Sequence, residues 1–245
     1  MEKYSYFISD LHLGLNDSET EKQKEDLLVE FLLSIRSDAE NLFILGDLFD
    51  YWFEYKRVIQ KGFYKIFAAL KELSEAGVKI YYLIGNHDFM HKDFFYKEFN
   101  ATVLQTDLEV EIHGKRFYLS HGDDHVLNDN GYKILKKILR NKLLQNLYSK
   151  LHPNFGIWLA SRTSKKSRKY TDGKNFTEDD GLIKKATEKI SAGFDFVIMG
   201  HTHLLKEIKI NNGIYLNLGT WLDKPLYAVF KNDKIEIVKL KTKQN

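Results

Sequence analysis

The sequence predicts an α/β fold in which two packed sheets are flanked by helices. Short apolar runs recur along the chain, and in the first half they alternate with long stretches of helical periodicity. The second half is punctuated by hairpin turns instead. No Pro/Ser-rich linker, low-complexity tract or internal repeat divides the 245 residues, 43% of them hydrophobic, so we read one domain over 1–245.

In chain order, strand pattern begins with YSYFIS at 4–9 and is followed by a helix over 19–35. LFIL at 42–45 runs straight into Gly46-Asp47, and a helix over 62–76 then leads to the strand 79–84. Strands at 109–112 and 116–120 face each other across His113-Gly114. The next helix, 129–151, carries Leu135, Leu139, Leu143, Leu147 and Leu151 at steps of four and stops before Pro153. A helix over 178–191 returns to the strand 196–199. Strands at 205–210, 214–217, 226–230 and 234–240 follow, turned by Asn212-Gly213 and Asn232-Asp233.

Composition narrows the chemistry. Zero cysteines exclude disulfides and thiolate metal sites, so a metal has to be held by imidazole, carboxylate and amide groups, which suits Mn, Fe or Zn. There is no run of 18 apolar residues and no charged-then-apolar leader, and a cytoplasmic protein is expected. Of the 37 Lys+Arg and 34 Asp+Glu, twelve cations and one acid fall in 133–174, leaving 25 against 33 elsewhere. That segment is either the solvated face of amphipathic helices or a basic rim for an anionic partner.

The polar residues that matter follow the strands. Asp10 and His12 follow YSYFIS; Asp47 follows LFIL; Asn86 and His87 follow IYYLIG; His121 follows RFYLS; His201 and His203 follow DFVIMG. Alone, each reads as a turn or capping residue. Together they sit beyond the C-terminal ends of five strands, where an open α/β sheet binds its ligands. The one-residue spacing in Asp10-x-His12 and His201-x-His203 places each pair on one side of an extended chain, able to reach the same ion cluster. Asp47, arriving alone, is the natural bridge between two metals. Such a pair acidifies water and neutralises phosphoryl oxygens in an in-line displacement, with His87 placed to steady that charge or protonate the leaving oxygen.

DLHLG, GDLFD, GNHD, HGD and GHTH, in this order, resemble the motifs of the calcineurin-like metallophosphoesterase superfamily from Asp10 to about Leu222. The resemblance implies a four-layer αββα sandwich with a dinuclear site. Asp10, His12, Asp47 and His203 would hold one metal; Asp47, Asn86, His121 and His201 would hold the other. His87 would meet the substrate phosphate and Asp88 would orient it. All seven metal positions are filled, unlike a decayed noncatalytic scaffold.

Between His121 and His201, the helix of 129–151 is followed by FGIWLASRTSKKSRK, in which Phe155, Ile157, Trp158 and Leu159 precede five cations. Periodicity alone suits a helical hairpin closing on itself, whereas an apolar body beside a basic rim suits acyl chains on a phosphate headgroup. This insertion, about 128–172, together with GDLFDYWFEY and HGDDHVLNDNGYK, resembles one branch of the superfamily, the UDP-2,3-diacylglucosamine pyrophosphohydrolases of lipid A biosynthesis. That implies a helical cap, a UDP-linked acylated glucosamine as substrate, two divalent ions (Mn2+ first) and peripheral work at the inner face of the cytoplasmic membrane. Asp129 and Tyr132 would contact the glucosamine headgroup; Arg162, Ser164 and Lys165 would bind phosphate or acyl-linked groups. The best-known members have GNRD where this chain has GNHD, exchanging a fixed planar charge for a group that can transfer a proton. Another phosphodiester or nucleotide substrate is the alternative. No nucleic acid is expected, because only Trp158 and Tyr170 offer stacking among the cations, and no protein partner is expected either.

Other residues read as structural. His91, His113 and His152 suit surface or capping roles, Trp52 and Trp221 suit core anchors or pocket walls equally, and His125 stays open between ligation and structure.

Overall fold

The structure, a computed structural model, describes residues 2–15, 18–126, 136–138, 140–160, 162 and 178–241. Strands β1 (Tyr4–Ile8), β2 (Ala39–Leu45), β3 (Lys79–Leu83), β4 (Thr102–Leu104), β10 (Leu226–Lys231) and β11 (Lys234–Lys239) form one sheet in the order β11-β10-β1-β2-β3-β4. Strands β5 (Leu108–Ile112), β6 (Lys115–Leu119), β7 (Phe196–Met199), β8 (Leu205–Ile210) and β9 (Gly213–Leu218) form the other, in the order β5-β6-β7-β9-β8. The strands that matter for function are parallel within each sheet, β1 with β2 and β3, and β6 with β7.

Helices α1 (Ser18–Ser34), α2 (Tyr64–Glu75) and α3 (Phe94–Phe99) cover the first sheet, and α5 (Glu178–Ser191) covers the second. Three apolar layers result. Leu28, Phe31, Ile66, Leu70 and Trp52 pack under the first helices, and Leu182, Ala186 and Ile190 of α5 pack on Tyr118, Val197 and Tyr215. Between the sheets, Phe7 stacks on Phe43 at 5.0 Å and on Phe117 at 5.8 Å. With both faces of each sheet covered, the central strands have no polar side, which is why YSYFIS and LFIL read as continuous apolar runs. The layering is the αββα sandwich that the resemblance implied.

The helix read at 62–76 starts at Tyr64, because Gly62 sits at φ +111°, outside helical geometry. Its inner face is Ile66, Ala69, Leu70 and Leu73, the i, i+3, i+4, i+7 pattern. Neither the six-residue α3 nor the three-residue β4 was anticipated; both are too short for a period to register.

The single helix expected over 129–151 is not continuous. Residues 129–135 and 139 lie outside the described residues, 136–138 are helical, and the chain turns at Arg140. A new helix, α4 (Lys142–Tyr148), begins where the Asn141 side chain accepts hydrogen bonds from Leu143 N (2.9 Å) and Leu144 N (3.3 Å). An asparagine oxygen that satisfies two free N–H groups starts a helix and does not continue one, so the leucine spacing spanned a break. Residues 153–160 are helical again, with Pro153 at the start, where its missing N–H costs nothing. Among the described residues no helix is long and apolar enough to cross a membrane.

Candidate metal centre

The C-terminal ends of β1, β2, β3, β6 and β7 meet at one edge of the sandwich, and the loops leaving them are laced together. His12 N donates to Asp47 O at 2.9 Å and Leu13 N to Leu48 O at 2.9 Å, joining the exits of β1 and β2. The two sheets are joined here as well: His201 N donates to Asp10 Oδ2 (2.9 Å) and His121 Nδ1 to Leu45 O (2.8 Å).

The path of these loops corrects the reading of the one-residue spacings. Asp10, His12, His201 and His203 have φ values of 55°, 49°, 73° and 58°, and Asp47 has 52°. These are left-handed kinks, not an extended chain. Non-glycine residues adopt that region at a cost, and it concentrates at functional sites where the surroundings enforce it. Asp10 and His12 still converge on one cluster, but His201 and His203 separate. His203 Nε2 lies 3.0 Å from His12 Nε2, whereas His201 Nδ1 lies 3.0 Å from Asn86 Oδ1.

Two adjoining clusters result. In the first, Asp10 Oδ1 is 3.8 Å from His12 Nε2 and 3.4 Å from His203 Nε2, and Asp47 Oδ2 is 3.7 Å from His12 Nε2. In the second, His121 Nε2 is 2.9 Å from Asn86 Oδ1 and 3.5 Å from the same Asp47 Oδ2. One oxygen of Asp47 thus faces both clusters, while its other oxygen accepts the His87 N–H at 2.9 Å. Gly85 is needed for this approach, since a Cβ there would overlap the Asp47 carboxylate.

These residues fit divalent cations. Donor atoms about 2.1 Å from a common ion stand roughly 3 Å apart, near the spacings found here. Asp10 Oδ1 is buried without a hydrogen-bond partner, while Ser9 Oγ (2.5 Å) and His201 N (2.9 Å) engage Oδ2. A buried carboxylate oxygen left among imidazole nitrogens is costly unless a cation fills the gap. The Leu45 carbonyl holds the Nδ1 proton of His121, which turns Nε2 toward the cluster.

The electrostatics agree. Burial, reinforced by Asp88 and Asp10, raises Asp47 to about 6, even with His121 and His87 pulling it down. Burial also opposes charge on Asp10, but the neighbouring imidazoles of His203, 3.4 Å away, and His121 hold it at about 2. His121 is pulled down by burial yet raised to about 9 by Asp47, Asp10 and Asp123, while burial and His121 lower His201 to about 3. In metal-free protein the raised His121 contributes stability that is full below its ordinary value of about 6.5 and is lost as pH rises to about 9. We therefore expect the melting temperature in a chelator to fall across that window. Asp10 acts only at more acid pH and Asp47 only up to about 6, so neither masks the effect. Thermal scans of wild type and His121→Gln check this; an equal slope in both would refute it.

Two roles change. Asp88 is fully buried, and its carboxylate accepts from Leu48 N (2.8 Å), Gly85 N (2.9 Å), Asp47 N (3.3 Å), Phe49 N (3.4 Å) and the Tyr82 hydroxyl. It ties together the loops that carry Asp47 and Asn86, and its oxygens are taken up by these donors. His87 is held instead by Asp50, a buried acid that the sequence reading left unassigned. Its Nδ1 donates to Asp50 O at 3.1 Å and lies 3.5 Å from Asp50 Oδ1, which is also 3.8 Å from His12 Nδ1. Asp123 was missed as well. It is buried behind His121 and bonded to Lys136 Nζ at 2.6 Å, and although burial opposes its charge, His121 and Lys136 hold it well below the usual carboxylate range. Both acids stand inside motifs already noticed, GDLFD and HGD, and that position was the available signal.

His91 also departs from expectation. Its side chain is 2% exposed, packed on Trp52 and Tyr82, with Nδ1 3.6 Å from Glu54 Oε1. His113 sits in its hairpin turn at φ 49°, with Nε2 3.0 Å from Glu40 Oε2, and His152 Nδ1 accepts from Asn154 N (3.3 Å) at a helix start. His125 bonds Asp107 and the Tyr118 hydroxyl, both at 3.1 Å. Trp52 and Trp221 are core anchors. Of the expected substrate contacts, Asp129, Tyr132, Ser164 and Lys165 lie outside the described residues, and Arg162 is exposed with its guanidinium 5.3 Å from the Trp158 ring.

With this geometry in place, the comparisons with known proteins are specific. The family profile described as Calcineurin-like phosphoesterase matches residues 5–205. The UDP-2,3-diacylglucosamine hydrolase of Porphyromonas gingivalis is 35% identical over 248 residues, covering 94% of this chain and 95% of that protein. The enzyme of the same name from Haemophilus influenzae is 34% identical, covering 82% and 83%. Among solved structures, a novel archaeal phosphodiesterase superposes with a TM-score of 0.50 at 14% identity, covering 97% of this chain and 99% of that one, a likeness of fold.

Proposed function

The chain belongs to the calcineurin-like phosphoesterase family, and from that premise we propose that it hydrolyses UDP-2,3-diacylglucosamine to UMP and 2,3-diacylglucosamine 1-phosphate, a step of lipid A biosynthesis. The observation that carries this reading is the near full-length match to hydrolases of that name. Asp10, His12, Asp47 and His203 would hold one divalent cation and Asp47, Asn86, His121 and His201 the other, with Mn2+ suited to this oxygen and nitrogen set. The cations, when bound, supply acidified water and charge neutralisation at the phosphoryl oxygens. Water oxygen attacks the α-phosphorus, the bond from that phosphorus to the bridging oxygen breaks, and that oxygen leaves with the sugar 1-phosphate. His87, held through Nδ1 by Asp50, steadies or protonates the leaving oxygen with Nε2. Asp88 fixes the two loops behind it.

The single domain carries its insertion, about 128–172, as a cap. Asp129 and Tyr132 take the glucosamine headgroup there, and Arg162, Ser164 and Lys165 take the phosphate or acyl-linked groups. The cap exposes Leu143 (68%), Leu147 (53%) and Trp158 (51%) beside Lys142, Lys150 and Arg162, a composition that suits peripheral contact with the anionic inner face of the cytoplasmic membrane. A second reading rests on His87 in place of arginine and keeps the chemistry while changing the phosphodiester.

Purified protein with Mn2+ is expected to release UMP from UDP-2,3-diacylglucosamine far faster than from UDP-N-acetylglucosamine. Turnover of bis-p-nitrophenyl phosphate alone would leave the metal centre standing and favour the second reading.

A further inference from the structure

Nothing in α4 is buried, and a seven-residue helix is marginal by itself. Tyr148, its last residue, ties it down. The Tyr148 ring lies 4.8 Å from that of Phe53, and its hydroxyl donates to Gly156 O at 2.5 Å. With that proton committed, the Tyr51 hydroxyl, 2.9 Å away, is the donor to Tyr148, making a relay from Tyr51 through Tyr148 to the backbone of Gly156. Gly156 is the one buried residue of 153–160, and a Cβ there would overlap Tyr55 Oη. Tyr51, Phe53 and Tyr55 belong to the loop that leaves β2 through Asp47 and Asp50. The joint therefore fastens α4 and the helix of 153–160 to the loop that carries Asp47. Lys136 makes an independent tie to the turn after His121, with Nζ 2.6 Å from both Asp123 Oδ2 and Asp124 Oδ1.

The geometry points to Tyr148 as a specificity-determining positioning residue: with Tyr51 and Gly156 it holds the insertion in register with the metal centre, so that a long acylated substrate can engage both at once. A small phosphodiester needs only the centre. The inference rests on the substrate class proposed above. Tyr148→Phe removes both hydroxyl bonds and keeps the ring on Phe53. Losing neutral hydrogen bonds of this kind is expected to raise KM for UDP-2,3-diacylglucosamine about tenfold, with bound metal and hydrolysis of bis-p-nitrophenyl phosphate unchanged. Amide exchange over 142–160 should accelerate in the same variant. Tyr51→Phe, which leaves the Tyr148 to Gly156 bond, should have a smaller effect, and the double variant should be no worse than Tyr148→Phe alone. An equal loss on both substrates, or an unchanged KM for UDP-2,3-diacylglucosamine whatever the exchange, overturns the inference. If wild type fails to turn over the acylated nucleotide, the substrate reading falls and the exchange comparison alone decides the joint.

Discussion

Asp47→Ala is expected to lower phosphoester hydrolysis by more than about a thousandfold, on bis-p-nitrophenyl phosphate as well as on the nucleotide substrate. Asp47 Oδ2 is the one described oxygen that faces the nitrogens of both His12 and His121, so its removal takes a ligand from both clusters at once. Bound metal, measured by elemental analysis, should fall with activity. Stability of the metal-free protein should not fall comparably. Burial has pushed the pKa of this carboxylate up to about 6, so at neutral pH the fold carries its charge at a cost in the absence of a cation. Alanine also removes the acceptor of His87 N, a bond that Asp47→Asn keeps. In metal-free protein Asp47→Asn should therefore melt at or above wild type, while remaining deficient in metal and activity. Full activity in Asp47→Ala would end the two-cation reading.

How much of this was legible in the sequence follows from the range of the interactions involved. Strand exits were legible because a strand buried on both faces is an uninterrupted apolar run, and the polar residue that ends it stands out, as Asp47 does after LFIL. The polar residues that the structure gathers at those exits were legible for the same reason. The loop geometry was not. Left-handed kinks at Asp10, His12, Asp47, His201 and His203 leave only a weak mark in the sequence, since aspartate and histidine are enriched at positive φ but still adopt it rarely. Extended alternation put His201 and His203 on one side of the chain, whereas the kinks bring His203 to His12 and His201 to Asn86. Supporting residues were hidden differently. Asp50, Asp88 and Asp123 each read as one more acid near a motif; for Asp88 the difference lies in the backbone donors around it, three of which come from Asp47, Leu48 and Phe49, far away in the sequence. The insertion failed at Asn141, where a local side-chain bond outweighed a leucine period that continued through it.

Asp88 offers the sharpest test of that distinction, because the two roles available to it predict different couplings. Its carboxylate collects N–H groups from Asp47, Leu48 and Phe49 on one loop and from Gly85 on another, together with the Tyr82 hydroxyl. Those donors are buried with it, and Asp88→Ala would strand them. Unpaired buried donors cost about 1–3 kcal/mol each, with partial relaxation, so a loss of roughly 3–5 kcal/mol is expected. For a chain of this length that is a fall in melting temperature on the order of 10 °C. The two loops also place Asp47 and Asn86, so metal affinity should drop in parallel, and activity with it. Asp88→Asn keeps one acceptor oxygen but turns an amide N–H toward other donors, and it should fall between alanine and wild type in all three measurements. If Asp88 instead acted on the substrate phosphate, Asp88→Asn would keep wild-type melting temperature and metal content and lose only kcat. Thermal scans, metal titration and bis-p-nitrophenyl phosphate kinetics on the same preparations separate the two, because an organiser moves stability, metal and rate together and a substrate contact moves the rate alone.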